Sequence, residues 1–326
     1  MQTINRYQRQ MQLTQVGERW QLRLAAAEVL IVGCGGLGNV VAPLLAGAGV
    51  GVIRVLDFDQ IEASNLHRQT VFTEAQIGKP KAACLAAHLR RLNSHIEVEA
   101  IIDRCHPDNV DALVKQADVV VDAADSFVVT YLLSEACEAA GQLLISASVN
   151  QTYGYVGSFC FEALPSYQAV FPYVPTQSGS CDELGVLGPS VAMIGGAQAQ
   201  QALKFICTGE VELALFQFDL WDYAVHQIDV SGLAVKPAEI KFITTSSLRD
   251  QDTLIDVREP KEAAKQPFRH PHLINATLEE LKADQITSLK HASHLVFACK
   301  SGQRALQAAQ WWYSQHAIAC KVLTPD

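Results

Sequence analysis

Glu28-Val29-Leu30-Ile31-Val32-Gly33-Cys34-Gly35-Gly36-Leu37-Gly38 is an apolar run that breaks into glycines and passes into helical periodicity. A β-branched strand feeding a glycine turn at a helix start leaves backbone N–H groups and the positive end of the helix facing outward. Such a turn suits phosphate, because missing side chains allow close approach. About twenty residues further on, Asp57 in Leu56-Asp57-Phe58-Asp59 stands where an acidic residue takes ribose hydroxyls. Loop and acid together indicate a nucleotide-binding parallel sheet and leave NAD and ATP both open.

Working outward, short β-branched runs recur at 28–34, 51–59, 95–102, 118–125 and 142–149, separated by helical stretches such as 37–48 and 79–92. That alternation reads as βαβ units under a Rossmann-like, mainly parallel sheet, an α/β fold. From Tyr153 to Phe161 the residues alternate as in an antiparallel strand, which extends the sheet. Residues 164–189, rich in Pro, Gly and Ser, read as a mobile loop over the sheet edge, 189–207 as an apolar helix with Gly195-Gly196 at a close contact or dimer seam, and 212–219 as a strand. The expected organisation is a first domain over 1–230, a linker over 231–239 and a small α/β domain over 240–326, with strands at 254–257, 295–298 and 319–323.

Composition bounds the function. The 326 residues, 49% hydrophobic and 18% charged, suit a soluble two-domain protein, and a net charge of −9 disfavours nucleic acid and anionic membranes as partners. Residues 1–20 lack a basic start followed by an apolar block and no membrane-length apolar run follows, so the expected location is the cytoplasm. There the nine cysteines are expected as thiols, and no Cys-x-x-Cys pair argues for disulfides.

The candidate nucleotide site comprises Gly33, Gly35, Gly36, Asp57, Asn65, Arg68, Lys81 and Asp125. The last four fall after successive strands or at helix starts, on the carboxyl edge of the sheet. Two cations, an amide and a carboxylate around a phosphate loop suit phosphoryl charge and Mg²⁺ better than a nicotinamide ring.

These residues resemble the MoeB/ThiF family, the bacterial relatives of the ubiquitin-activating enzymes. The resemblance spans roughly 5–230 and rests on several motifs. They are Arg6-Tyr7-x-Arg9-Gln10, the 33–38 loop, Leu56-Asp57-Phe58-Asp59, Ser64-Asn65-Leu66-His67-Arg68-Gln69, Gly78-Lys79-Pro80-Lys81, Asp122-x-x-Asp125, and Cys181 ahead of Gly185-Val186-Leu187-Gly188-Pro189. The resemblance implies ATP-dependent adenylation of the C-terminal glycine of a ubiquitin-like sulfur carrier protein (MoaD/ThiS type). Such carriers serve molybdopterin, thiamine and tRNA-thiolation chemistry. It further implies that Gly36 and its loop hold the nucleotide, Asp57 binds ribose, Arg68 and Lys81 neutralise phosphates, and Asp125 holds magnesium. Arg9 is implied to reach into a partner subunit's active site, hence a homodimer. The pattern departs at Pro165-Ser166-Tyr167-Gln168-Ala169, where family members carry a zinc-binding cysteine pair, so no zinc site is expected. Ser126, Thr130 and Ser134 depart where relatives show Asn, Arg and Asn.

Two cysteines are candidates for chemistry. Cys181 precedes an apolar helix, and in the resembled family the matching cysteine takes part in acyl transfer or resolves an acyl disulfide. Cys299 opens Cys299-Lys300-Ser301-Gly302-Gln303-Arg304, between an apolar strand and a helix, where successive N–H groups form an anion nest and Lys300 and Arg304 favour thiolate. With Ile255-Asp256-Val257-Arg258-Glu259-Pro260, this resembles a rhodanese domain over 240–326, with Cys299 as persulfide carrier. The chain stops at Pro325-Asp326, before the Gly-Gly and Ala-Trp segment of many such domains, so the last helix is expected to be missing, leaving the small domain weakly stable or dependent on docking to the first. The other cysteines read as packing residues.

The combined expectation is carrier adenylation followed by sulfur transfer to a thiocarboxylate, fed by a persulfide donor such as a cysteine desulfurase. A linker would hold the Cys299 loop at about millimolar effective concentration near the adenylate. The alternatives are an NAD-dependent oxidoreductase, for which no acid/base pair is evident, and a non-catalytic carrier-binding scaffold.

Overall fold

A computed structural model describes residues 6–14, 17–174, 185–233, 240–283, 289 and 294–324. The strands are β1 (Glu28–Val32), β2 (Val52–Leu56), β3 (Glu97–Ile101), β4 (Val119–Asp122), β5 (Leu143–Asn150), β6 (Tyr153–Phe159), β7 (Ala214–Asp219), β8 (Ala224–Asp229), β9 (Ile240–Ile243), β10 (Thr253–Asp256), β11 (Leu273–Asn275), β12 (Leu295–Ala298) and β13 (Cys320–Leu323). The helices are α1 (Gln8–Met11), α2 (Gly17–Ala26), α3 (Gly36–Ala48), α4 (Lys81–Leu92), α5 (Val110–Lys115), α6 (Phe127–Ala140), α7 (Tyr167–Val170), α8 (Gly188–Thr208), α9 (Pro260–Lys265), α10 (Leu278–Lys282) and α11 (Gln303–His316).

The first sheet has eight strands in the order β3-β2-β1-β4-β5-β6-β7-β8. Neighbours from β3 to β5 pair in parallel, and β5 to β8 pair antiparallel. Strand order reverses between β1 and β4, the crevice where ligands settle in open α/β sheets. In β1 the pleat sends Val29 and Ile31 into one apolar cluster with α3, α4 and α8, and Leu30 and Val32 into another with α5 and α6. A strand buried on both faces explains why its sequence is continuously apolar.

Helix ends follow local chemistry. Gly49, Gly141 and Gly209 close α3, α6 and α8 in the left-handed conformation, and Ser126 Oγ accepts from the Val129 N–H to cap α6. In α8, Gly195 has no room for a side chain, since a Cβ would lie 2.7 Å from Val40 Cβ; that glycine serves the α3 contact.

The second sheet is parallel, in the order β11-β10-β12-β13-β9. Its α10–α11 face carries Phe242, Ile255, Phe297, Leu306 and Trp312, and these belong to the same buried cluster as α5 and α6 of the first sheet. Polar ties reinforce this seam. Thr244 Oγ1 donates to Asp108 at 2.9 Å, and the Val174 N–H donates to Gln310 Oε1 at 2.9 Å.

Some expectations need correction. Residues 164–189 are not all irregular: α7 forms there, capped by Ser166 Oγ, which accepts from the Ala169 N–H. Strand β8 was missed because it is an exposed sheet edge and lacks the buried alternation that marks the other strands. Strand β9 was missed because Lys241 interrupts a four-residue run. Most of the linker, residues 234–239, lies outside the described residues. Among the described residues no helix is long and apolar enough to cross a membrane.

Glu135 on α6 marks the electrostatics of the seam. Burial and the neighbouring Glu138 push its carboxyl up to about 8, against the pull of Lys241 from β9. A raised folded-state pKa means a contribution to stability that is present below the unfolded value and lost as pH rises towards about 8. Glu135→Gln is therefore expected to raise stability at pH 8.5, by on the order of 1 kcal/mol, with little gain at pH 4.5. Chemical denaturation at the two pH values checks this; an equal effect at both contradicts it.

Candidate functional site

The glycines after β1 do different jobs. Gly33 has φ +100°, its N–H donates to Leu56 O at 2.8 Å, and a Cβ on it would sit 2.5 Å from Ala123 O. The turn is therefore wedged against the end of β4, at the switch point. At Gly38 a Cβ would lie 2.1 Å from Gly33 O, and at Gly36 one would lie 2.9 Å from Val191 Cγ1 on α8. Gly36, expected to hold nucleotide, is thus also required by packing. Gly35 differs: its Cβ position meets only Gln69 Nε2, at 3.7 Å, which leaves the mouth of α3 open. No side chain caps α3, so its first-turn N–H groups are available to an anion. Gly38→Ala is expected to cost about 1–3 kcal/mol by overpacking and to remove the thermal shift given by ATP. Melting with and without nucleotide checks both effects; a preserved ATP shift contradicts the second.

Asn39, which the motifs did not single out, locks this loop. Its Nδ2 donates to Cys34 O at 2.8 Å and its Oδ1 accepts from the Val71 N–H at 3.1 Å. A buried amide in the first turn of a helix after a glycine loop was the available signal.

Asp57 leaves β2 with both oxygens engaged. Oδ2 accepts from the Cys34 N–H and Oδ1 from the Asp59 N–H, each at 2.7 Å. Burial raises its pKa, while these donors and Lys81 oppose the rise. The carboxylate therefore ties the glycine loop to β2, and its remaining lone pairs are what ribose hydroxyls can use. Lys81 opens α4, is only 7% exposed, and its Nζ pairs with Asp59 Oδ2 at 3.0 Å.

The 64–69 segment forms the facing wall. Asn65 is buried and its Oδ1 accepts from the Glu62 N–H at 3.2 Å. Arg68 reaches Ser64 O at 3.2 Å and His67 Nε2 at 2.8 Å. Gly188 lets α8 start against this wall, since a Cβ there would be 2.8 Å from His67 O. Gln69 is 2% exposed, and its Oε1 has no hydrogen-bond partner among the described residues. A buried amide oxygen without a donor, beside the open Gly35, fits a bound group that supplies one.

Asp125 is exposed after β4, on the rim of a cleft of about 50 Å³ with Ser126, Phe127, Thr130, Ser148, Tyr155 and Tyr167. Beneath it, Asp122 Oδ2 accepts from Thr130 Oγ1 and Ser146 Oγ, both at 2.7 Å, and burial pushes its carboxyl up to about 6. Tyr155 and Tyr167 continue the network through their hydroxyls at 2.9 Å. The departures at 126, 130 and 134 thus have structural work. Ser126 caps α6, Thr130 satisfies Asp122, and Ser134 Oγ accepts from the Tyr167 N–H at 3.0 Å.

In the second sheet, Cys299 follows β12, and Gly302, at φ +80°, turns the chain into α11. The Ala305 N–H points at Cys299 Sγ at 3.4 Å. Arg258 forms a buried two-bond pair with Asp256, at 2.8 and 2.7 Å, and its guanidinium lies over the Phe268 ring. Arg304 forms an exposed two-bond pair with Glu262 at 2.9 and 2.8 Å. Arg304 thus has a carboxylate partner as well as the nearby thiol, which the spacing alone concealed. Cys299 is 4% exposed.

Within one chain Arg9 is not brought to these clusters. Arg9 sits exposed in the short α1, whose neighbour Gln10 bonds to Gln21 and Ala48 O. Cys181 lies outside the described residues. Of the remaining cysteines described, Cys105 alone is partly exposed and the others are buried.

A glycine turn at the switch point of a doubly wound sheet, a buried lysine among carboxylates, and an appended sheet with a cysteine loop define a nucleotide-binding α/β protein. The ThiF family pattern matches residues 7–235, and the chain belongs to that family. It is 41% identical over 220 residues to "Adenylyltransferase and sulfurtransferase MOCS3" of Anopheles gambiae, covering 66% of this chain and 50% of that protein. It is 39% identical over 210 residues to "Sulfur carrier protein adenylyltransferase" of Thermus thermophilus, covering 62% of this chain and 78% of that protein. The chain spans about half the length of the MOCS3 relatives it matches. Among solved structures, E. coli MccB superposes with a TM-score of 0.63 at 25% identity, over 72% of this chain and 73% of that one. Its complex with ATP superposes at 0.60 and 24% identity, over 71% and 72%, a likeness of fold.

Proposed function

We propose that this chain uses ATP to adenylate the C-terminal glycine of a ubiquitin-like sulfur carrier protein and then passes sulfur to it from a persulfide on Cys299, giving a thiocarboxylate. The observation that carries this reading is the convergence at the switch point of an uncapped helix mouth, the Asp57–Lys81–Asp59 group and the unpartnered Gln69 Oε1. The names of the relatives from Anopheles gambiae and Thermus thermophilus support adenylation over hydride transfer.

In this mechanism the α3 N–H groups bind phosphate and Asp57 accepts from the ribose. The attacking group is a carboxylate already ionised at neutral pH, so no general base is required. Negative charge accumulates on the phosphates as the oxygen approaches phosphorus, and Lys81 and Arg68 offset it. Asn65 holds the wall on which Arg68 sits. Asp125 would hold Mg²⁺, which when bound supplies charge neutralisation across the phosphates. The functional unit is a homodimer in which Arg9 of the second copy completes the site. Cys181 resolves the acyl disulfide, a cysteine desulfurase or similar persulfide donor loads Cys299, and the reaction runs in the cytoplasm.

The test is incubation with ATP, Mg²⁺, a persulfide source and carriers ending in Gly-Gly, followed by intact-mass measurement. One oxygen replaced by sulfur on the carrier, with carrier-dependent pyrophosphate exchange, is expected. Absence of exchange with every such carrier, or nicotinamide nucleotide binding in place of ATP, sinks the reading.

A further inference from the structure

The two halves meet at one shared cleft. Its wall on the first sheet is formed by Ala124 to Phe127, Thr130, Ala147, Ser148, Tyr155 and Tyr167, and its wall on the second is Gln303. Gln303 is the first residue of α11, four positions after Cys299 and directly after the Gly302 turn. On the opposite side, Ala123 and Ala124 are the backbone against which Gly33 is wedged, with the Gly33 Cβ position 2.5 Å from Ala123 O and 2.9 Å from Ala124 N. The cleft thus joins the residues behind the glycine loop to the first residue of the helix that follows the Cys299 loop, all within one polypeptide.

The small sheet is also seated and not merely strung on a linker. Its Trp312, Phe242 and Ile240 share a buried cluster with Leu132, Val128 and Val114, and the Thr244–Asp108 and Val174–Gln310 hydrogen bonds fix it at two separate places. A loose tether leaves the cysteine loop free to visit the site of its own chain or of a neighbour. A packed apolar seam removes that freedom.

We propose that sulfur transfer takes place in cis, across this cleft, from Cys299 to the acyl-adenylate formed by the same chain. This rests on the functional reading above and adds its route. The terminal sulfur of the Cys299 persulfide anion attacks the carbonyl carbon; a C–S bond forms, the C–O bond to the adenylate phosphate breaks, and AMP leaves with the electron pair. A thiolate then attacks Cys299 Sγ in the resulting acyl disulfide. The S–S bond breaks, the thiocarboxylate leaves as an anion, and Cys299 is left in a disulfide that a second thiol reduces. The thiol reductant, supplied as dithiothreitol in the test, provides both equivalents.

The experiment is complementation between two full-length variants, Lys81→Ala and Cys299→Ala, co-expressed with different affinity tags and purified through both so that every assembly contains both, with a Gly-Gly-ended carrier, ATP, Mg²⁺ and thiosulfate as sulfur source, its sulfane sulfur passing to the cysteine as sulfite leaves. In the mixed preparation the only chain able to adenylate lacks Cys299. Transfer in cis predicts thiocarboxylate below one-tenth of wild type. Wild type co-expressed with the double variant Lys81→Ala/Cys299→Ala retains about half and reports that the preparation is competent. One-tenth or more from the complementing pair overturns the cis route while leaving the functional reading intact. No thiocarboxylate from wild type alone overturns the functional reading, and the route with it.

Discussion

Lys81→Ala is expected to lower the proposed carrier-dependent ATP–pyrophosphate exchange by about 10²–10³-fold while the protein stays folded, the cost of removing one preorganised charge partner from a transition state. The fold survives because the pair it breaks is lopsided. The Lys81 side chain is 9% exposed but that of Asp59 is 48% exposed, so water solvates the carboxylate left behind. Activity does not survive, because Asp57 and Asp59 then face the incoming phosphates with no cation between them. Arginine is a poor substitute: its planar fork does not fit a slot shaped around a point charge. Exchange assays with circular dichroism on the same samples check the prediction. A loss below 10-fold in a folded variant would mean that Lys81 only positions Asp59.

Cys299→Ala is expected to remove thiocarboxylate formation by at least about 10³-fold, with pyrophosphate exchange unaffected, since in the proposed reaction adenylation precedes the sulfur step and Cys299 carries its nucleophile. The substitution is mild in packing, because the thiol is a small buried group that accepts from the Ala305 N–H. Measuring both half-reactions on one preparation separates chemistry from folding. Thiocarboxylate at wild-type levels would transfer the sulfur-carrying role to another thiol.

That the glycine loop, Asp57, the 64–69 segment, Lys81 and Asp125 gather along one edge of the sheet was legible in the sequence, because each sits at a strand end or helix start. The division of labour among the glycines was not. Gly36 and Gly38 look alike in a motif, yet one clears Val191 and the other clears Gly33 O, a distinction that depends on packing between distant segments. Asn39 escaped notice because polar residues in a helix ordinarily face water, and its partners are 5 and 32 residues away along the chain. The partner of Arg304 was hidden for a related reason: adjacency to Cys299 in sequence says nothing of Glu262, 42 positions earlier, which accepts two hydrogen bonds from it. The parallel core was readable from β-branched runs, while β8, an outer strand with little to bury, carried no such pattern.

Helix α6 has the first sheet on one side and α11 on the other. Its side chains are thus judged by two neighbours at once, and a substitution accepted by one can be refused by the other. Drift in either half is answered by compensating change in its companion, so the two halves of this polypeptide evolve as a matched pair and resist exchange for homologous pieces taken singly.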